Sequence, residues 1–155
     1  LRFLILTVAR TSEVRFATFS EIERDVWVIP PERTKTSKEH RIPLSEAALS
    51  VIDRARQEPD QELLFPTARG NPMSDATMSR LMEREGYDAR PHGFRATFRT
   101  WVEEQTDTPY EVKESALGHQ IGSEVERAYQ RSDLLDKRVH LMRDWAEFLG
   151  IGVTS

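Results

Sequence analysis

Pro91-His92-Gly93-Phe94-Arg95-Ala96-Thr97-Phe98-Arg99-Thr100-Trp101 is the most telling stretch of this chain. Phe94, Phe98 and Trp101 recur at helical spacing and give the segment an apolar face. Pro91 stands just ahead of them, where a helix starts rather than continues. His92 and Arg95 then project from the opening turn, one turn apart. That turn also offers unpaired N–H groups and the positive end of the helix dipole, so an imidazole and a guanidinium there make a natural anion site. The bland alternative is a capping histidine with a surface arginine, and these residues alone do not choose between the two.

Working outward from this stretch, the pattern after Ser74 is helical almost to the end. Helices are expected at about 74–84, 93–105, 109–117, 123–130 and 133–149, with breaks at Gly86, Pro91, Pro109, Gly118 and Gly122. Leu117-Gly118-His119 closes one of them, with the glycine giving the backbone freedom to present the histidine. Tyr129 follows ten residues later, near the end of an amphipathic segment, where a half-buried core tyrosine is the commoner occupant. The last helix carries Leu135, Val139, Met142, Trp145 or Ala146, and Leu149 at helical spacing, with Leu134, Leu141 and Phe148 beside them. Such a stripe packs on its own domain or on a neighbouring copy.

Toward the front, Leu1 to Ala9 reads as a buried helical turn or two. Arg10-Thr11-Ser12-Glu13 reads as a second helix entry, with Ser12 or Thr11 as N-cap and Arg10 and Glu13 close enough on one face to pair. Taken alone, such a pair is ordinary surface decoration. Asp25-Val26-Trp27-Val28-Ile29 is a strand stopped by Pro30-Pro31, and Arg41-Ile42-Pro43-Leu44 reads as its return. The two predict a small antiparallel hairpin with Lys35 at its tip, in Thr34-Lys35-Thr36, where a lysine is commonly just solvated. Ser45 should cap a helix through about Gln57, with Glu46 favourable to its dipole. Leu63 to Pro66 is extended and Thr67 to Pro72 a loop. The expected architecture is one mainly α domain with a small hairpin near its N-terminal side.

Composition narrows the chemistry. A chain of 155 residues has room for one domain or two very small ones, and 38% apolar with 31% charged residues reads as globular with a polar surface. The absence of cysteine removes disulfides, thiolate nucleophiles, iron–sulfur clusters and cysteine-based zinc sites. The histidines His40, His92, His119 and His140 lack any His-Glu-x-x-His or paired-carboxylate spacing, so no metal site is expected. The longest apolar run, Phe3 to Leu6, is far below the roughly 18 residues of a membrane span, and it lacks the build of a signal peptide. The expected setting is therefore cytoplasmic, away from membranes. A start at Leu1, inside an apolar pattern, reads as a piece of a longer protein. The net charge of −4 is unusual for a nucleic-acid protein, but it is unevenly spread. Acidic residues outnumber basic ones nine to three between Trp101 and Asp136, while basic residues cluster at Arg33 to Arg41 and Arg80 to Arg99. A polyanion could dock on those neighbourhoods, with a weaker grip than on a wholly basic domain.

No single element decides the matter; their order does. Arg-x-x-Glu, Thr-Lys-Thr followed by Arg-x-Pro-Leu, His-x-x-Arg, Leu-Gly-His and then Tyr is a succession that resembles the catalytic domain of the tyrosine recombinases, the phage integrase family. The last third is similar to integrases of prophages and integrative islands: Val125-Glu126-Arg127-Ala128-Tyr129-Gln130-Arg131-Ser132-Asp133, then Met142-Arg143-Asp144-Trp145. The resemblance covers nearly the whole chain. It implies Arg10 and Arg95 as the two catalytic arginines, His92 and His119 as the imidazoles, Lys35 as the hairpin lysine and Tyr129 as the nucleophile. One departure is Val8, where many relatives carry glycine.

The implied activity is site-specific DNA recombination through a 3′-phosphotyrosyl intermediate, without metal, ATP or another cofactor. The implied partners are double-stranded DNA attachment sites, further copies of the chain in a homotetramer on DNA, and accessory DNA-bending or directionality proteins. Residues 1–155 would then be a single catalytic domain lacking the family's N-terminal DNA-binding domains, monomeric on its own. Two other readings share the fold: a non-catalytic DNA-binding regulator, and a topoisomerase-like strand transferase.

Overall fold

Helix α1 (Arg2–Thr7) has almost no polar face, and Phe3, Leu4 and Leu6 lie inside the molecule. The structure, a computed structural model, describes residues 1–120, 122 and 133–151. Among these, α1 is followed by α2 (Thr11–Arg15), a 3₁₀ turn (Phe19–Glu21), β1 (Ile22–Glu23) and β2 (Val26–Ile29). A second 3₁₀ turn (Pro31–Arg33) leads to β3 (His40–Pro43) and α3 (Glu46–Ala55). Four further helices complete the described elements: α4 (Thr77–Arg84), α5 (Gly93–Gln105), α6 (Tyr110–Ala116) and α7 (Leu135–Phe148). The helix expected at 123–130 lies outside the described residues.

The expected hairpin is present as β2 and β3, paired from Val26 opposite Pro43 to Ile29 opposite His40. It is one strand larger than expected. Ile22 and Glu23 pair with Trp27 and Val26, giving a three-stranded antiparallel sheet in the order β1-β2-β3. Two residues are too short for a periodic signal, so this edge strand left little trace in the sequence. Trp27 and Ile29 alternate inward and are fully buried, as a half-buried strand requires. Ser45 caps α3 as anticipated, accepting a hydrogen bond from the backbone N–H of Ala48, and the helix ends two residues early at Ala55.

Two apolar clusters form the interior. The first joins α1, α2, the sheet and α3 around Phe3, Leu4, Trp27, Ile42 and Ile52. The second joins α5, α6 and α7 around Phe98, Trp101, Val112, Leu141 and Trp145. Ile5 and Leu149 pack against both. The final helix turns Leu141, Met142, Trp145 and Ala146 inward, and the Trp145 indole N–H donates to the Ile5 carbonyl at 2.8 Å. It thus docks on its own domain. Val139, expected on the apolar stripe, stands 41% exposed, because Arg138 takes the buried position beside it. That guanidinium is accommodated by the Arg41 carbonyl and the Asp133 carboxylate, so its desolvation is offset by partners.

Candidate active site

Arg10 enters through the break between α1 and α2. It is itself the N-cap of α2, the place expected for Ser12 or Thr11, because Glu13 reaches back from the first turn. One Glu13 oxygen accepts from the Arg10 backbone N–H at 2.7 Å and the other from Arg10 Nη1 at 2.8 Å. Glu13 is 1% exposed, so this pair is no surface decoration. The carboxylate holds one edge of the guanidinium and, among the described residues, leaves the rest of its donor fork free.

Lys35 sits on the connection between β2 and β3, where the Thr34 hydroxyl organises the turn. It donates to the Lys38 carbonyl at 2.7 Å and accepts from the Lys38 N–H at 3.2 Å. Arg33, on the same connection, donates to the Glu13 carbonyl at 3.0 Å and pairs with Glu21. The lysine-bearing turn is thereby fastened to the first residues of α2. Nothing in the sequence singled out Arg33 from the basic cluster around it, since its partners are distant in the chain.

Arg95 is not the surface arginine of the bland reading; it is 7% exposed. Its Nη1 donates to the carbonyl of Val8, and its Nη2 donates to the carbonyl of Leu117 at 2.6 Å. Those carbonyls end α1 and α6, where the dipoles are negative and orphan acceptors need donors. One guanidinium therefore ties together the segments that lead into Arg10 and His119. Burial first, then the neighbouring Arg10 cation, lowers its pKa to about 10, so it stays charged at neutral pH.

His119 follows a Schellman cap. The His119 N–H bonds the Glu114 carbonyl at 3.0 Å and the Gly118 N–H bonds the Ser115 carbonyl at 3.0 Å, with Gly118 at φ +63°. The imidazole Nδ1 lies 2.7 Å from Glu114 Oε2, and Nε2 lies 3.4 Å from Arg95 Nη2. An open pocket of about 490 Å³ then gathers Arg10 from the head of α2, Lys35, Thr36 and Ser37 from the β2–β3 connection, and Gly118, His119 and Gln120 after α6.

His92 is placed at the start of α5, one turn before Arg95, and is exposed; it does not line that pocket. Tyr129 lies outside the described residues. The chain beyond it returns at Asp133, whose carbonyl accepts from the Ser115 hydroxyl at 2.9 Å and whose carboxylate pairs with Arg41 and Arg138.

His40, given no task by the sequence, heads β3 directly behind Gly118. A Cβ on that glycine would come within 3.2 Å of His40 Nε2. Burial, and after it the cations Arg138, Arg10 and Arg95, hold the pKa of His40 down to about 3 against a raising hydrogen bond with the Ala116 backbone. The ring is neutral at physiological pH and adds no further charge beneath a cationic pocket.

A sequence profile described as the phage integrase family matches residues 1–135. The chain belongs to that family. Phage integrase family members similar to it include the prophage integrase IntA of Escherichia coli K12, 33% identical across 94% of this chain and 37% of that protein. The integrase of Enterobacteria phage P4 is 32% identical across 94% of this chain and 38% of its own length. The chain thus spans under two-fifths of these curated relatives. Among solved structures, a lambda integrase dimer bound to a COC′ core site superimposes with a TM-score of 0.59 at 19% identity, covering 85% of this chain and 50% of that one. A lambda integrase tetramer bound to a Holliday junction gives 0.58 at the same identity, covering 85% and 41%. The mainly helical fold with its small antiparallel sheet is that of the integrase catalytic domain. No helix among the described residues is long and apolar enough to cross a membrane.

Proposed function

We propose that this chain is the strand-cleaving and rejoining unit of a site-specific DNA recombinase. The observation that carries the reading is the meeting of Arg10, Lys35 and His119 around one open pocket, with Arg95 tied to the backbone on both sides of it. Four donors of this kind suit a phosphodiester passing through a pentacoordinate transition state. Guanidinium groups keep their charge and present planar forks to non-bridging oxygens. Removing one such preorganised donor typically raises a barrier by about 3 kcal/mol, or ~100-fold in rate.

In this scheme the Tyr129 hydroxyl attacks phosphorus, forming a 3′-phosphotyrosyl bond and releasing a 5′-hydroxyl. A phenol with an ordinary pKa near ~10 must lose its proton to react, and His92 is the assigned acceptor. Lys35 is assigned to protonate the leaving 5′ oxygen. A 5′-hydroxyl from a partner strand reverses the step, so the phosphoester energy is conserved in the covalent intermediate. The partners are double-stranded attachment sites and further copies of the protein.

A nicked suicide duplex carrying the attachment sequence tests this directly. The intact protein should form a covalent protein–DNA band that disappears in Tyr129→Phe. The band should form equally in EDTA, because cationic side chains supply the charge stabilisation; cleavage abolished by chelation and restored by magnesium would contradict that part.

A further inference from the structure

Glu114 has no part in the scheme above, yet it is the best-buried carboxylate in contact with a site imidazole. Its side chain is 6% exposed, Oε2 lies 2.7 Å from His119 Nδ1 and Oε1 lies 3.2 Å from Arg99 Nη2. Resting on the recombinase reading, we propose that Glu114 is a positioning residue that turns His119 Nε2 toward the phosphate and equips the ring to arrive there as an imidazolium.

The argument is one of donors and acceptors. An ionised carboxylate can only accept, so Nδ1 carries the proton of that 2.7 Å bond. A guanidinium can only donate, so Nε2, facing Arg95 Nη2 at 3.4 Å, is the bare nitrogen in the DNA-free chain. A non-bridging phosphate oxygen also only accepts. For Nε2 to serve it, the ring must take one proton from solvent at Nε2 while keeping the one at Nδ1, and Arg95 Nη2 is then released toward the same oxygens.

The surroundings oppose a fourth positive charge. Arg10 and Lys35 face His119 across the pocket and Arg95 from α5; neutral His40 lies behind Gly118, and Glu13 is already engaged by Arg10. Glu114 is the carboxylate bonded to the ring itself, with Arg99, one turn beyond Arg95 on α5, as the ion-pair partner of its other oxygen, which accepts no hydrogen bond among the described residues.

Two measurements decide this. Nitrogen–proton correlation spectra of the His119 ring in the DNA-free chain should show a protonated Nδ1 and a bare Nε2; the opposite tautomer overturns the proposal without reference to any activity. Single-turnover cleavage of the suicide duplex by the intact protein is then followed against pH. Glu114→Gln keeps the shape and loses the charge; it should cleave at least about tenfold slower, with its alkaline limb moved to lower pH. Glu114→Asp, which keeps the charge, should retain the wild-type limb. Arg99→Met alters an exposed side chain and removes a cation competing for Glu114, so it should move the limb to higher pH even if Glu114→Gln fails to fold. Unchanged profiles in the folded variants overturn the proposal. A wild-type protein that forms no adduct overturns the recombinase reading instead, and the spectra still decide where the proton sits.

Discussion

Val8 shows how a single residue stores strain beside the site. It closes α1 at φ +48° and ψ +25°, with its side chain fully buried. A β-branched residue in the left-handed region is a genuine outlier, costing on the order of 1–2 kcal/mol. The carbonyl so presented is the one that Arg95 grips. Val8→Gly should therefore be at least as stable as Val8→Ala, by about 1 kcal/mol in urea unfolding, the reverse of the usual order inside a helix.

His40 gives a pH prediction. Its folded-state pKa of about 3 lies below its ordinary 6.5, so between those values the unfolded chain binds more protons and stability rises with pH. The contribution is complete above about pH 6.5 and lost as the pH falls toward 3. Urea midpoints should drop on acidification from neutral, and His40→Asn should flatten that slope. The resemblance grouped Arg10, Lys35, Arg95 and His119 from the order of their motifs, and the structure brings Arg10, Lys35 and His119 to one pocket with Arg95 beside His119. His40, Arg33 and Glu114 were not legible in the sequence, since each matters through a neighbour that only folding supplies.

Elements were legible where periodicity was long. Helices α3 and α5 and the β2–β3 pair stand close to where their patterns put them, whereas the two-residue β1 depends on its pairing with β2 and the cap of α2 on the local return of Glu13 to Arg10. The cap after α6 is a case in which sequence and structure agree in detail. Leu117-Gly118-His119 forms the left-handed turn it suggested, and Gly118 meets two demands at once, a positive φ and contact with His40. Gly118→Ala should cost about 1–3 kcal/mol, measurable as a lowered melting temperature. On the recombinase reading it should also slow strand cleavage, since the added methyl group would press on His40 next to His119.

Across the molecule, the candidate site lies along the seam of two apolar clusters. Arg10 and Lys35 belong to the sheet side and Arg95 and His119 to the α5–α7 side, where Arg95 bonds the carbonyls of Val8 and Leu117, both members of the second cluster. Charge sets the other global expectation. With a net charge of −4, the chain by itself should bind duplex DNA weakly and lose it as salt is added; tight binding at physiological salt would contradict this.

The return of the chain at Asp133 has a mechanical corollary. His119 hangs from Glu114 by its backbone N–H and Asp133 from Ser115 by its carbonyl, so the interval bearing Tyr129 is moored at both ends to neighbouring residues of one helical turn. On the recombinase reading this mooring belongs to the chemistry: Ser115→Ala, which removes the bond to Asp133, should slow strand cleavage more than it lowers the melting temperature.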